Sequence, residues 1–165
     1  MKYLFILVLA LVCITGCVDE EASLKLKIGD SAPVFSGVDL AGNPFRLGDF
    51  TGEPVILRFW DTNCKFCKVD TPVFNDLHEK FYDKGLHIAY INTLSNMVEV
   101  KRFINDLEIK FPVLMDDNSI IAHLYHVRVV PQTIVINRHH KIVAAISGGV
   151  SEDVLLETLA GDLDI

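Results

Sequence analysis

Two cysteines two residues apart, Cys64 and Cys67, follow directly on an apolar, strand-like run, Val55-Ile56-Leu57-Arg58-Phe59-Trp60. They open a stretch of helical spacing, with apolar residues at Phe66, Val69, Val73, Phe74, Leu77 and Phe81. That helix is expected to run to about Asp83 and to stop at Gly85, with a kink at Pro72 about one turn after the cysteines. A strand feeding a helix places both thiols at a helix start. There the backbone N–H groups are unpaired and the macrodipole is positive, and both effects favour thiolate. A pair at this spacing can also close a small disulfide ring. Cys64, nearest the helix start and solvent, is the candidate nucleophile. Cys67, one turn in, is the candidate resolving thiol. The chemistry this supports is disulfide exchange: attack on a partner's disulfide, a mixed disulfide through Cys64, and release by Cys67. Lys65 and Lys68 add positive charge that would depress the Cys64 pKa further, although a solvated helix face explains them equally well.

The rest of the chain supplies a frame for that junction. Turn residues Ala41-Gly42-Asn43-Pro44 between two short apolar stretches predict a β-hairpin, and Asp49 to Pro54 a polar loop. Leu86 to Ile91 is almost wholly apolar, as a doubly covered central strand would be. Val98 to Ile109 has helical spacing, Phe111 to Met115 is extended, and Ser119 to Tyr125 is a short helix. Val129 to Ile136 is a β-branched strand turned at Arg138-His139-His140-Lys141 onto an antiparallel partner, Ile142 to Ser147. Ser151 is placed to cap a last helix whose first turn carries Glu152 and Asp153. This order predicts one α/β domain with a mixed central sheet.

The amino terminus stands apart from that domain. Lys2 followed by the apolar run Tyr3 to Ile14 has the form of a signal peptide and falls short of the ~20 residues that span a bilayer. It ends in Ile14-Thr15-Gly16-Cys17, which resembles the lipobox of bacterial-type lipoproteins. That resemblance implies cleavage before Cys17 and lipid on its thiol, with an ordinary cleaved signal or an uncleaved anchor as alternatives. The expected organisation is residues 1–16 as signal peptide, 17–27 as lipid-anchored tether and 28–165 as the folded domain. Cys13 would then be discarded and Cys17 lipidated, so the mature protein keeps only Cys64 and Cys67. An exported domain with one cysteine pair has no disulfide framework, which points to a chemical role for the pair over a structural one.

The opening Gly29-Asp30-Ser31-Ala32-Pro33-Val34-Phe35, the phrase from Phe59 to Pro72 around the cysteines, the strand Val129 to Asn137 and the later Ile146-Ser147-Gly148-Gly149 together resemble the TlpA/ResA-like branch of the thioredoxin superfamily, in its lipoprotein form. The resemblance covers the chain from about Ile28 to its end. It implies a thioredoxin fold with helices on both faces of the sheet and an N-terminal β-hairpin extension. It also implies a cis bond at Val130–Pro131 packed against the disulfide, with the Val130 main chain offered to an extended substrate segment. Trp60 is expected to pack beside the pair, and Lys65-Phe66 stands where this branch commonly has a proline. Asp70 falls where the family usually has a glutamate, beneath the cysteines, and is the candidate relay for the proton that Cys67 must lose; the bland reading is a surface helix acid. Arg58 occupies a position where the family often has asparagine. It either pairs with Asp70, which would keep Asp70 ionised and weaken the relay, or sends its head to solvent.

The implied function is an envelope-anchored oxidoreductase working on protein thiols and disulfides. The expected direction is reducing, as in cytochrome c biogenesis, with electrons from a membrane donor protein and no cofactor beyond the cysteine pair. Two alternatives stand beside it. One is an exported copper-binding module using Cys64 and Cys67, although no methionine or histidine cluster lies near them. The other is a peroxidase of the related AhpC/TSA family, but Asp61 stands where that reading requires threonine. A c-type haem site is excluded because Lys68 follows the pair where histidine is needed. His123 and His126 do not form a convincing ligand set, and no other metal site is indicated. A net charge of −7 without a basic run argues against nucleic acid as a partner.

Overall fold

The computed structural model describes residues 26–163. The expected signal peptide, the lipidation site Cys17 and most of the tether lie outside the described residues. A hairpin of β1 (Ser36–Val38) and β2 (Pro44–Arg46) precedes the main sheet. Its turn is held by the Asp39 carboxylate, which accepts from the Ala41 and Asn43 amides, and Gly42 supplies a φ of 90°. The five-stranded sheet has the order β5-β4-β3-β6-β7, with β3 (Val55–Trp60) at its centre. β4 (His87–Asn92) runs parallel to β3, and β5 (Val113–Met115) parallel to β4. β6 (Gln132–Ile136) and β7 (Ile142–Ser147) add antiparallel strands on the other side. Among the described residues four α-helices accompany the sheet: α1 (Lys65–Phe81), α2 (Met97–Asp106), α3 (Ile120–Leu124) and α4 (Glu152–Leu159).

Strand alternation divides the interior into two cores. Ile56 and Trp60 of β3 face α1, α2 and α4, in a core shared with Phe74, Leu77, Phe103 and Leu155. Val55, Leu57 and Phe59 face the hairpin side and α3, with Phe45, Ile121 and Tyr125. This is the expected mixed sheet with cover on both faces. β3 is buried along its whole length, as a central strand must be.

Several boundaries and faces differ from the sequence reading. α1 passes Pro72 and the run stops at Gly85, with a φ of 90°, as expected, but its α-helical part ends at Phe81 and a 3-10 turn over Tyr82–Lys84 completes it. β6 starts at Gln132 and not at Val129, because the cis Val130–Pro131 peptide turns the chain out of the ladder. Phe66 and Val69 are exposed despite their apolar character, and α1 instead buries Cys67, Asp70, Thr71, Phe74, Leu77 and Phe81. Ser151 occupies the N-cap of α4, but its side chain makes no capping hydrogen bond. The acidic first turn of Glu152 and Asp153 remains to balance the dipole there.

Candidate active site

The turn between β3 and α1 presents the cysteines. The Asp61 carboxylate accepts from the Asn63 amide, the Thr62 amide donates to Ser95 Oγ, and the Cys64 amide donates to the Asp61 carbonyl. Cys64 is the N-cap residue of α1, and its sulfur accepts from the Cys67 amide at 3.1 Å. A sulfur at this position stands in for the usual hydroxyl or carboxylate cap, so the first turn of the helix stabilises negative charge on it. A disulfide joins Cys64 to Cys67. Cys67 is 1 % exposed within the α1-side core, while Cys64 is only partly buried at its edge. The two sulfurs therefore differ in access as the sequence predicts.

Trp60, fully buried, belongs to the same core as Cys67 and stacks against Phe103 with ring centroids 4.2 Å apart. Gln132 pairs with Phe59, so Pro131 lies at the level of Trp60, the end of β3 that leads into the cysteine turn. The Val130 main chain is outside the β3–β6 ladder. Lys65, Phe66 and Lys68 are exposed around the pair. Two grooves open beside these segments, one of about 260 Å³ at Asn63, Lys68 and Arg102 and one of about 240 Å³ at Leu94, His123 and Val129, and neither is lined by Cys64 or Cys67.

Beneath the pair lies a buried ion pair. Arg58 follows strand alternation onto the α1 side, between Ile56 and Trp60, and is 0 % exposed. Its solvent-escape alternative is overturned: the side chain is fully buried, mid-strand with Tyr90 and Thr133 as its sheet neighbours. Its guanidinium donates to Asp70 Oδ2 at 2.5 Å, to Thr133 Oγ1 at 2.6 Å and to the Gly148 carbonyl at 3.2 Å. The ring of Phe74 covers it at 5.2 Å. Asp70 Oδ2 also accepts from the Val150 amide at 3.2 Å. Asp70, at 5 % exposure, is thus a buried group and not a surface acid. Burial raises its carboxyl above the ordinary value and the Arg58 charge offsets only part of that rise; burial likewise lowers Arg58, against the opposing pull of Asp70. A guanidinium keeps its proton at any ordinary pH, so Arg58 brings a fixed positive charge to Asp70.

Thr133, Gly148, Val150 and Tyr90 were not singled out as site residues by the sequence, yet they build this layer. Thr133 could have been found by pairing β6 against β3, since it lies directly across from Arg58. Gly148 and Val150 contribute only main-chain atoms, for which side-chain identity gives no signal. Tyr90 donates to Thr71 Oγ1 at 3.3 Å, and Thr71 donates to the Cys67 carbonyl at 2.6 Å. Among the described residues no group of three or more His, Cys, Asp or Glu is placed to hold a metal ion.

The AhpC/TSA family model matches residues 28–145. The thiol-disulfide oxidoreductase ResA of Bacillus thuringiensis subsp. konkukian is 35% identical over 135 residues, covering 82% of this chain and 78% of that protein. ResA of Halalkalibacterium halodurans is 30% identical over 131 residues, 79% of this chain and 74% of that one. A putative thiol:disulfide interchange protein DsbE from Chlorobium tepidum superposes with a TM-score of 0.77 at 27% identity, covering 83% of this chain and 98% of that one. The chain belongs to the AhpC/TSA family and, within it, is a TlpA/ResA-like thiol–disulfide oxidoreductase.

Proposed function

We propose that the protein is a lipid-anchored reductase of the cell envelope that acts on protein disulfides through Cys64 and Cys67. The observation that carries the roles of the two sulfurs is their asymmetry: Cys64 caps the helix at the rim, and Cys67 is enclosed. In the reduced enzyme the Cys64 thiolate attacks a substrate disulfide. One substrate sulfur leaves, and Cys64 is joined to the other. Cys67 then attacks Cys64, the substrate leaves as a dithiol, and the enzyme is left as the disulfide. Two electrons have passed to the substrate, so a dithiol donor must restore the pair; an electron-donor protein in the membrane fits that need. No other cofactor enters the cycle. Phe66 and Val129 are exposed, and with the Val130 main chain beside the pair, as the family resemblance implies, they suit an extended polypeptide substrate. The lipobox-like Ile14-Thr15-Gly16-Cys17 supports lipid on Cys17 and an extracytoplasmic location, and the resemblance to the TlpA/ResA-like branch supports a place in cytochrome c maturation.

Titration of the Cys64–Cys67 couple against glutathione or dithiothreitol buffers tests the direction. A reversible two-electron couple below about −220 mV supports the reductase, and a value near −120 mV turns the assignment to oxidase or isomerase. A pair that does not cycle and instead holds Cu(I) tightly would replace the enzyme with a copper module.

A further inference from the structure

The Arg58–Asp70 pair leaves one atom unexplained. Asp70 Oδ2 accepts from both Arg58 and the Val150 amide, whereas Oδ1 is buried and has no hydrogen-bond partner among the described residues. A buried carboxylate oxygen without a donor costs free energy, and such exceptions call for a cause. Asp70 lies three residues after Cys67, on the same buried face of α1, where side chains of that spacing are neighbours. In the disulfide state Cys67 carries no proton to give. On reduction by a dithiol, the Cys64–Cys67 bond breaks, two electrons enter, and Cys67 gains an S–H inside the core.

We propose that Arg58 is a positioning residue of the redox centre: by occupying Oδ2 it holds Asp70 as a carboxylate whose Oδ1 is kept as the hydrogen-bond acceptor for the reduced Cys67 thiol. Asp70 is then a fixed acceptor and not a proton carrier. When Cys67 attacks Cys64 in a mixed disulfide, the Cys67–Cys64 bond forms and the bond from Cys64 to the substrate breaks. The substrate sulfur leaves with the electron pair and takes the proton that Cys67 releases. The arrangement depends on groups from every neighbouring element: Arg58 on β3, Tyr90 on β4, Thr133 on β6, and the Gly148 carbonyl and Val150 amide after β7. Arg58 is the one cation among them. Glu152 of α4 is engaged farther along α1 by Lys80. Without the guanidinium, burial would be opposed only by main-chain hydrogen bonds, from Val150 and from Asp70 itself, and burial is the larger.

The inference rests on Cys64–Cys67 being a reversible couple, and its test is independent of turnover. The carboxyl carbon of Asp70 is followed by NMR in protein carrying labelled aspartate, oxidised and after reduction with dithiothreitol. In the wild-type protein the Asp70 signal should not titrate between pH 6 and 8 in either state, and it should move on reduction. In Arg58→Met it should titrate within that range, while Arg58→Lys should restore the wild-type profile. A purely structural Arg58 would lower the melting temperature in Arg58→Met and leave the Asp70 profile flat, which overturns the proposal. Titration of wild-type Asp70 between pH 6 and 8, or identical Asp70 signals before and after reduction, overturns it without any variant, so misfolding of Arg58→Met does not shield it. A pair that dithiothreitol cannot reversibly reduce would instead sink the oxidoreductase reading of the couple, while the oxidised-state titration still reports on Arg58.

Discussion

Removing Asp70 should cost more than removing Arg58 and Asp70 together. In Asp70→Ala the Arg58 guanidinium keeps Thr133 Oγ1 and the Gly148 carbonyl but loses its carboxylate partner, and it remains fully buried. Breaking a buried ion pair from one side typically costs about 3–5 kcal/mol, a large part of a domain's total of about 5–15 kcal/mol. With a urea slope of about 2 kcal/mol/M, a loss of about 4 kcal/mol moves the unfolding midpoint down by about 2 M. Asp70→Asn keeps an oxygen for the guanidinium and should lose less. Arg58→Met with Asp70→Ala removes both charges, places a flexible apolar chain beside Phe74, and should recover most of the loss. The assay is urea unfolding of the oxidised protein, followed by the fluorescence of Trp60, the single tryptophan and fully buried two residues from Arg58. A loss below about 1 kcal/mol in Asp70→Ala would mean that the guanidinium reaches water. The reasoning from burial would then fail.

Three further outcomes follow from the geometry. Cys67→Ser should accumulate a stable mixed disulfide with a disulfide-containing protein, visible on a non-reducing gel, and Cys64→Ser should not, because the enclosed Cys67 is the poorer attacker. Tyr125→Phe removes the donor to the Pro33 carbonyl, a bond of 2.6 Å at a buried site, and should lower stability by about 1–2 kcal/mol in chemical denaturation. Burial lowers the His78 pKa, helped by the charges of His87 and Lys110, so the unfolded chain binds that proton more readily than the folded one. Stability should therefore fall as pH drops below about 6.5, the unfolded value, and His78→Gln should remove that part of the fall when the two unfolding profiles are compared.

The local pattern of the sequence carried the sheet further than it carried the site. β3 and β7 begin and end where the apolar runs place them, and β3, buried along its whole length, reads as a run broken only by Arg58. Gly85 and the Ala41–Pro44 turn were also legible, because their backbone conformations restrict the residue type. Phe66 and Val69 misled, as helical spacing alone does not tell a core stripe from an apolar rim around reactive atoms. The partner of Arg58 could be guessed but not decided. Its pocket is closed by Thr133, Gly148 and Val150, which are brought in by strand register and a loop from the far end of the chain. A charge in the middle of a central strand was the visible sign that something was built there.

Whether Lys65 and Lys68 matter for Cys64 is a question of scale. Both are exposed at the helix start, so water screens them. Two unit charges at ~7 Å in water interact by ~0.6 kcal/mol, and at physiological salt the Debye length of ~8 Å removes more than half of that. The Cys67 amide, by contrast, contacts the Cys64 sulfur at 3.1 Å and cannot be screened away. Replacing Lys65 and Lys68 together by glutamine should then slow alkylation of reduced Cys64 by no more than about threefold at physiological ionic strength, with the difference vanishing near 1 M salt, where the Debye length is about 3 Å. The pH dependence of iodoacetamide labelling, read at both salt concentrations, makes the comparison. A loss of tenfold or more that persists in high salt would show that the lysines act at short range on the sulfur. The solvated-face account of them would then be wrong.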